Sequence, residues 1–152
     1  MKSVKNNFQS YLILGTLEKR QEQLGILLNN LNLDISPNSP DLFLIETTKT
    51  SYTGKQALIS IDEIRNLKKH IFQKPVSAPF KVVIIKDAQN LSQEAQNAIL
   101  KILEEPPIHA ILILEAENEF QLLPTILSRV VKIKSVTNIS GKLEPSFLES
   151  FT

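Results

Sequence analysis

The chain has 152 residues, 42% of them hydrophobic and 22% charged, with a formal net charge of +1; this is the make-up of one folded domain, and it excludes a disordered or fibrous chain and any global field for nucleic acid. It contains no cysteine, which excludes disulfides, thiol nucleophiles and thiolate zinc sites and fits a reducing compartment. The apolar run near the N-terminus is too short for a secretory signal, and no segment approaches the ~20 apolar residues of a membrane span, so a cytoplasmic location without a membrane partner is expected.

In chain order, residues 1–8 read as a flexible N-terminus, 9–136 as one α/β domain and 137–152 as a loosely held tail. Tyr11–Leu14 opens the domain as a short, wholly apolar strand ending at Gly15. A helix is predicted over Glu18–Leu28, then a polar, proline-containing loop at Asn32–Pro40 and a second strand at Leu42–Ile45. After another loop, Thr47–Gln56, the segment Ser60–Phe72 has helical period: Ile61, Ile64, Leu67 and Ile71 share a face, and Ser60 with Glu63 has capping-box spacing. Val82–Ile85 is the third strand, Ser92–Glu104 the next helix with Ala95, Ala98, Ile99, Ile102 and Leu103 inward, and Ala110–Leu114 the fourth strand. A helix at Glu119–Leu127 and a strand at Val130–Ile133 close the domain. Apolar runs that do not alternate suit strands covered on both faces, and strands alternating with helices imply right-handed crossovers. The expected fold is a three-layer α/β sandwich around a five-stranded parallel sheet, with sites beyond the carboxyl ends of the strands.

Those ends carry the candidate chemistry. A strand, a glycine and a helix are where a phosphate-binding loop would sit, its glycines letting backbone N–H groups wrap the phosphates. Counting that motif from Gly15 puts Arg20 at its second glycine, Gln21 at its lysine and Glu22 at its hydroxyl residue, while Glu18 and Glu22 would repel phosphate. Neither nucleotide nor metal is therefore expected as a cofactor. Asp87, after the third strand, could hold Mg²⁺ or simply cap its loop; the next residue, Ala88, cannot position a water. Arg129 could complement the end of a short helix, or reach a γ-phosphate on a neighbouring subunit. His70 and His109 lie without a partner at metal spacing and are expected on the surface. Lys19 and Arg20, and Arg65, Lys68, Lys69 and Lys74, could touch phosphodiester but suit a solvated helix face better.

One stretch resists local physics. In NAILKILEEPP, Asn97 to Pro107, a good amphipathic helix ends on Glu104 and Glu105 against Pro106 and Pro107. Acids at a helix C-terminus are disfavoured by about 0.3–1 kcal/mol each, and Pro106 pushes Glu105 out of the helical region.

Three stretches together, ISIDEIRNLKKHI, KVVIIKDAQNLSQEAQNAILKILEEPP and LLPTILSRV, resemble the AAA+ module of bacterial DNA polymerase III clamp-loader subunits, and among these they look most like delta prime subunits. The resemblance runs from about Phe8 to Lys134 and is dense from Ile59 to Ile133. It implies an AAA+/P-loop NTPase-like, RecA-like core, with the LEEPP segment as a family hallmark between the Walker B and sensor 1 strands. It makes Arg129, with Ser128, the candidate arginine finger, matching the first two positions of the family's Ser-Arg-Cys motif. Val130 replaces the motif cysteine, Ala116 stands at the sensor 1 hydroxyl position, and the four-cysteine zinc module is absent. The sequence stops where the lid would begin and the collar that holds loader subunits in a ring is missing, so assembly into a five-subunit loader is not implied.

The expected function is a non-catalytic clamp-loader subunit in DNA replication, not an enzyme on its own. Its expected partners are the loader's ATPase subunits and the delta subunit, with DNA touched only indirectly or weakly. A degenerate AAA+ ATPase and an interaction module outside replication are the alternatives.

Overall fold

The computed structural model describes residues 10–33, 36–47 and 58–134; the segments read as flexible N-terminus and tail, and most of the loop at 47–56, lie outside the described residues. All five expected strands form: β1 Ser10–Leu14, β2 Leu42–Ile45, β3 Lys81–Ile85, β4 Ala110–Ala116 and β5 Val131–Lys134. They make one sheet in the order β2-β3-β4-β1-β5, every pair parallel, with Leu12 opposite Leu114 and Lys132, and Val83 opposite Leu112.

Every residue of β1, β3 and β4 is buried, because side chains alternate between two covered faces. One face carries Leu12, Leu14, Val83, Ile85, Leu112 and Leu114 into a core closed by helices α2 (Ile61–Ile71) and α3 (Gln93–Glu104). The other carries Tyr11, Ile13, Val82, Ile84, Ile111 and Ile113 against α1 (Leu17–Asn30). The three-layer α/β expectation holds. Each fully buried Leu or Ile contributes roughly 1.5–3 kcal/mol. Edge strands depart from the expectation: β2 and β5 have one neighbour each and are only partly covered, with Leu44 left 43% exposed.

The helix signals act as read. Ser60 N–H donates to Glu63 Oε2 at 2.9 Å, the capping box starting α2, and Ser92 Oγ accepts from Ala95 N–H at 3.0 Å to start α3. At the end of α1, Asn32 takes the left-handed φ of 55° while Leu33 N–H donates to the Leu28 carbonyl and Asn32 N–H to that of Asn29, a Schellman arrangement. The fourth helix is a correction. Only Pro124–Leu127 is helical (α4), not Glu119–Leu127. Pro124 fits the first helical position and holds Leu123 extended, at ψ 138°, while Asn118 Oδ1 accepts from Phe120 N–H in a turn. The histidines also differ from expectation. Both are half-buried, and the His70 ring lies 5.1 Å from that of Phe43; burial, then Lys81, lowers its pKa.

Asp41, fully buried just before β2, ties the β2 entrance to the loop before β3. It accepts from the backbone N–H groups of Val76, Ser77 and Ala78 at 2.6–2.7 Å and from the Ser77 hydroxyl at 3.1 Å. Burial alone would raise its pKa, but these bonds to the ionised form pull it well below the usual carboxylate range. A depressed folded-state pKa gives stability that is present above the unfolded value near ~4 and lost as pH falls below it. Asp41→Ala is therefore expected to cost about 1–3 kcal/mol at pH 7 and progressively less below pH ~4, which urea unfolding at both pH values will show.

Among the described residues, no helix is long and apolar enough to cross a membrane, and no group of three or more His, Asp or Glu side chains gathers as metal ligands.

Candidate functional site

The connection after β1 crosses β4 and β3 to reach β2, whereas the one after β4 crosses β1 to reach β5, so the crevice expected to take a ligand lies beyond the ends of β1 and β4. Gly15 turns the chain there at φ 136°, its N–H donating to the Ala116 carbonyl at 3.1 Å; a side chain would be strained at that φ. Thr16 then starts α1, its Oγ1 accepting from Lys19 N–H at 3.5 Å.

One turn on, Arg20 folds back into the crevice. Its Nη1 donates to the Lys86 carbonyl at 2.6 Å and lies 3.6 Å from Asp87 Oδ1 and 4.0 Å from Glu115 Oε1. Arg20 is 3% exposed and Glu115 not at all. Carboxylates and carbonyl thus draw inward a residue expected on a solvated face, and phosphodiester cannot reach it. Asp87 does not cap its loop with its side chain; it accepts from the Thr47 hydroxyl at 3.1 Å, which in turn accepts from the Asn90 amide at 3.2 Å. Burial raises the pKa of Glu115, with Lys86 and Arg20 opposing and Asp87 adding to the rise. Among the described residues neither Glu115 oxygen nor Arg20 Nε has a hydrogen-bond partner.

The crevice is consequently occupied by the protein's own cation. Gln21 and Glu22, at the lysine and hydroxyl positions of the lost motif, are exposed, and Ala116 offers only a buried methyl group. The cleft alongside, about 270 Å³, is lined in part by Glu117, Glu119 and Lys134, and Glu119 Oε2 lies 3.2 Å from Lys132 Nζ; two acids make a poor lining for a triphosphate.

The other end of the sheet carries the second group of candidates. Ser128 and Arg129 follow α4 directly. Arg129 Nη1 donates to the Thr125 carbonyl at 2.8 Å and to Ser128 Oγ at 3.3 Å, so it does complement the end of its helix. Its Nη2 lies 3.3 Å from Glu104 Oε1, with the two side chains 35% and 47% exposed. The acid ending α3 thus faces a cation of its own chain. An exposed ion pair contributes about 0–1 kcal/mol, roughly what a C-terminal acid costs its helix, so fold stability alone does not account for Glu104. Glu105, before Pro106, has left the helix at φ −137° and ψ 70°.

Gln96 joins α3 to the segment leading to Arg129. Its Oε1 accepts from Leu123 N–H at 2.9 Å and its Nε2 donates to the Gln121 carbonyl at 3.0 Å. Gln96→Ala is expected to cost about 1–3 kcal/mol and to speed amide exchange at Leu123, which hydrogen-exchange NMR will read.

Sequence reading missed Arg20, Gln96 and Glu115 as polar groups built into the interior, and Thr47 as the half-buried partner of Asp87. A signal existed for two of them. Arg20, Gln23 and Leu27 are buried at helical spacing on α1, as Gln96 is beside Ala95 and Ile99 on α3, so each lay on an inward stripe.

A sequence model of the family described as DNA polymerase III, delta subunit matches residues 5–137. The chain is 34% identical over 98 residues to the DNA polymerase III subunit gamma/tau of Mycobacterium tuberculosis, 64% of this chain and 16% of that protein. It is 34% identical over 93 residues to the DNA polymerase III subunit delta' of Pseudomonas aeruginosa, 61% of this chain and 27% of that protein. Among solved structures, a DNA polymerase III gamma subunit-related protein of Thermotoga maritima superposes with a TM-score of 0.70 at 30% identity, over 86% of this chain and 42% of that one. The Bacillus subtilis DNA clamp loader delta protein shares the fold at a TM-score of 0.56 and 11% identity, over 83% of this chain and 38% of that one. The chain spans less than half the length of each of these relatives. With its parallel AAA+-type sheet and the family match across most of its length, the chain belongs to the DNA polymerase III delta subunit family and is related to the clamp-loader subunits.

Proposed function

We propose that this protein is a non-catalytic, delta prime-like clamp-loader subunit that binds no nucleotide and offers Arg129 to the ATP site of a neighbouring loader ATPase. The observation supporting this reading best is the Arg20 guanidinium, buried in the crevice against Asp87 and the Lys86 carbonyl. It sits where the second glycine of a phosphate-binding loop would count out, and it faces Asp87, the aspartate considered for Mg²⁺, at 3.6 Å. Arg129 lies at the opposite end of the strands, on an accessible edge. A domain with a plugged site and a presented arginine can assist hydrolysis next door without performing it. Its partners on this reading are the loader's ATPase subunits and the delta subunit, in the cytoplasm, with DNA contacted only indirectly.

The test is the steady-state ATPase rate of the same organism's ATP-binding clamp-loader subunit with clamp and primed DNA, with and without this chain, wild type against Arg129→Ala. Stimulation by the wild type and its loss in the variant, with no activity from the chain alone, is the expected result. Tight binding of labelled ATP to the chain itself, abolished by Asp87→Ala, would sink the reading in favour of a degenerate ATPase.

A further inference from the structure

The carboxylate ending α3 is not explained by helix propensity or by the stability of its exposed pair, and it faces the residue on which the proposed function turns. We infer that Glu104 is a positioning residue for Arg129, an inference that rests on the trans-arginine reading. The guanidinium is held from two directions. Its Nη1 is bound by acceptors of its own short segment, the Thr125 carbonyl at 2.8 Å and Ser128 Oγ at 3.3 Å. Its Nη2 is drawn by Glu104 Oε1, 3.3 Å away, on a different helix. The origin of that second restraint matters. α4 is a single turn of four residues, whereas α3 is anchored in the core through Ala95, Ile99, Ile102 and Leu103. Glu104 therefore ties the arginine side chain to a helix that is packed into the core.

The strength of the pair suits the role. Both partners are partly solvated, so the attraction is screened and does not trap the arginine. A γ-phosphate carries more charge and meets the guanidinium in a drier interface, where it competes successfully. Glu104 sets the plane and reach of the side chain beforehand, reducing the ordering that the partner's transition state must otherwise impose.

The experiment compares stimulation of the neighbouring loader ATPase by the full chain as wild type, Glu104→Gln, Arg129→Ala and the double variant, with Glu94→Gln in the first turn of α3 as a charge control. Glu104→Gln is expected to lower the stimulated kcat about five- to tenfold, leaving the KM for ATP, the half-maximal concentration of this chain and its melting temperature unchanged. In the Arg129→Ala background the same substitution is expected to do nothing further, because Glu104 acts only through Arg129. Undiminished or increased stimulation by Glu104→Gln, or an equal drop in both backgrounds, overturns the inference. The two readings fail separately: if Arg129→Ala retains full stimulation, the trans-arginine reading falls and the inference with it, whereas loss in Arg129→Ala with normal Glu104→Gln removes only the positioning role.

Discussion

Arg20→Met is expected to destabilise the domain by about 3–5 kcal/mol, the cost of removing one partner from a buried ion cluster. Methionine keeps the aliphatic stem of the side chain, so the loss comes chiefly from the missing guanidinium head. What is lost is the cation facing Asp87 and the fully buried Glu115, together with the donor to the Lys86 carbonyl. For a chain of this size, that is a fall in Tm of about 6–20 °C. Two further measurements identify the cause. Glu115→Gln in the Arg20→Met background should restore part of the loss, since Asp87, 21% exposed, can be hydrated while Glu115 cannot. The deficit should also shrink as pH falls from 7 toward ~4. Glu115 has a raised folded-state pKa, and a raised carboxyl contributes stability below its unfolded value near ~4.3 that is lost as pH rises through the folded one. A variant as stable as wild type at pH 7 by urea unfolding would mean that the cluster is hydrated and contributes nothing.

For Arg129→Ala the expected effect is on rate rather than stability. Its ion pair and helix-end contacts lie near the surface, and their loss should change the unfolding free energy by about 1 kcal/mol or less. On the proposed function, stimulation of the partner ATPase should fall by about 10³-fold or more, equivalent to about 4 kcal/mol of transition-state stabilisation. Arg129→Lys should not restore it, because an ammonium is a point charge without the planar fork that clasps two phosphate oxygens. A large fall in stability, or recovery by lysine, would point to a structural or merely electrostatic role.

The architecture was legible because its signals are local and repeated. The apolar runs at Val82–Ile85 and Ala110–Leu114 announce buried strands, and Ser60 and Ser92 mark helix starts through their own side chains. Where one residue controls a boundary, the reading failed unless that residue was weighed: Pro124 cut the last helix to one turn. The crevice was legible only as a loss, the missing glycines and lysine after Gly15. What fills it depends on Lys86, Asp87 and Glu115 meeting Arg20 from other strands, contacts across 66 residues or more that no spacing rule encodes. The same holds for Glu104, whose partner is supplied by tertiary packing.

The loop and turn that carry Arg129 are splinted. Gln96 grips the segment at Gln121 and Leu123, and Glu104 meets it again at Arg129; both reach from α3, eight residues or about 12 Å apart along its axis. A segment joined at two points to one core-packed helix has fewer independent ways to move than a free surface loop. Placement to within about 0.5 Å is what a group acting on another molecule's reaction requires; on the proposed function, that accuracy for Arg129 would originate in the packing of one amphipathic helix.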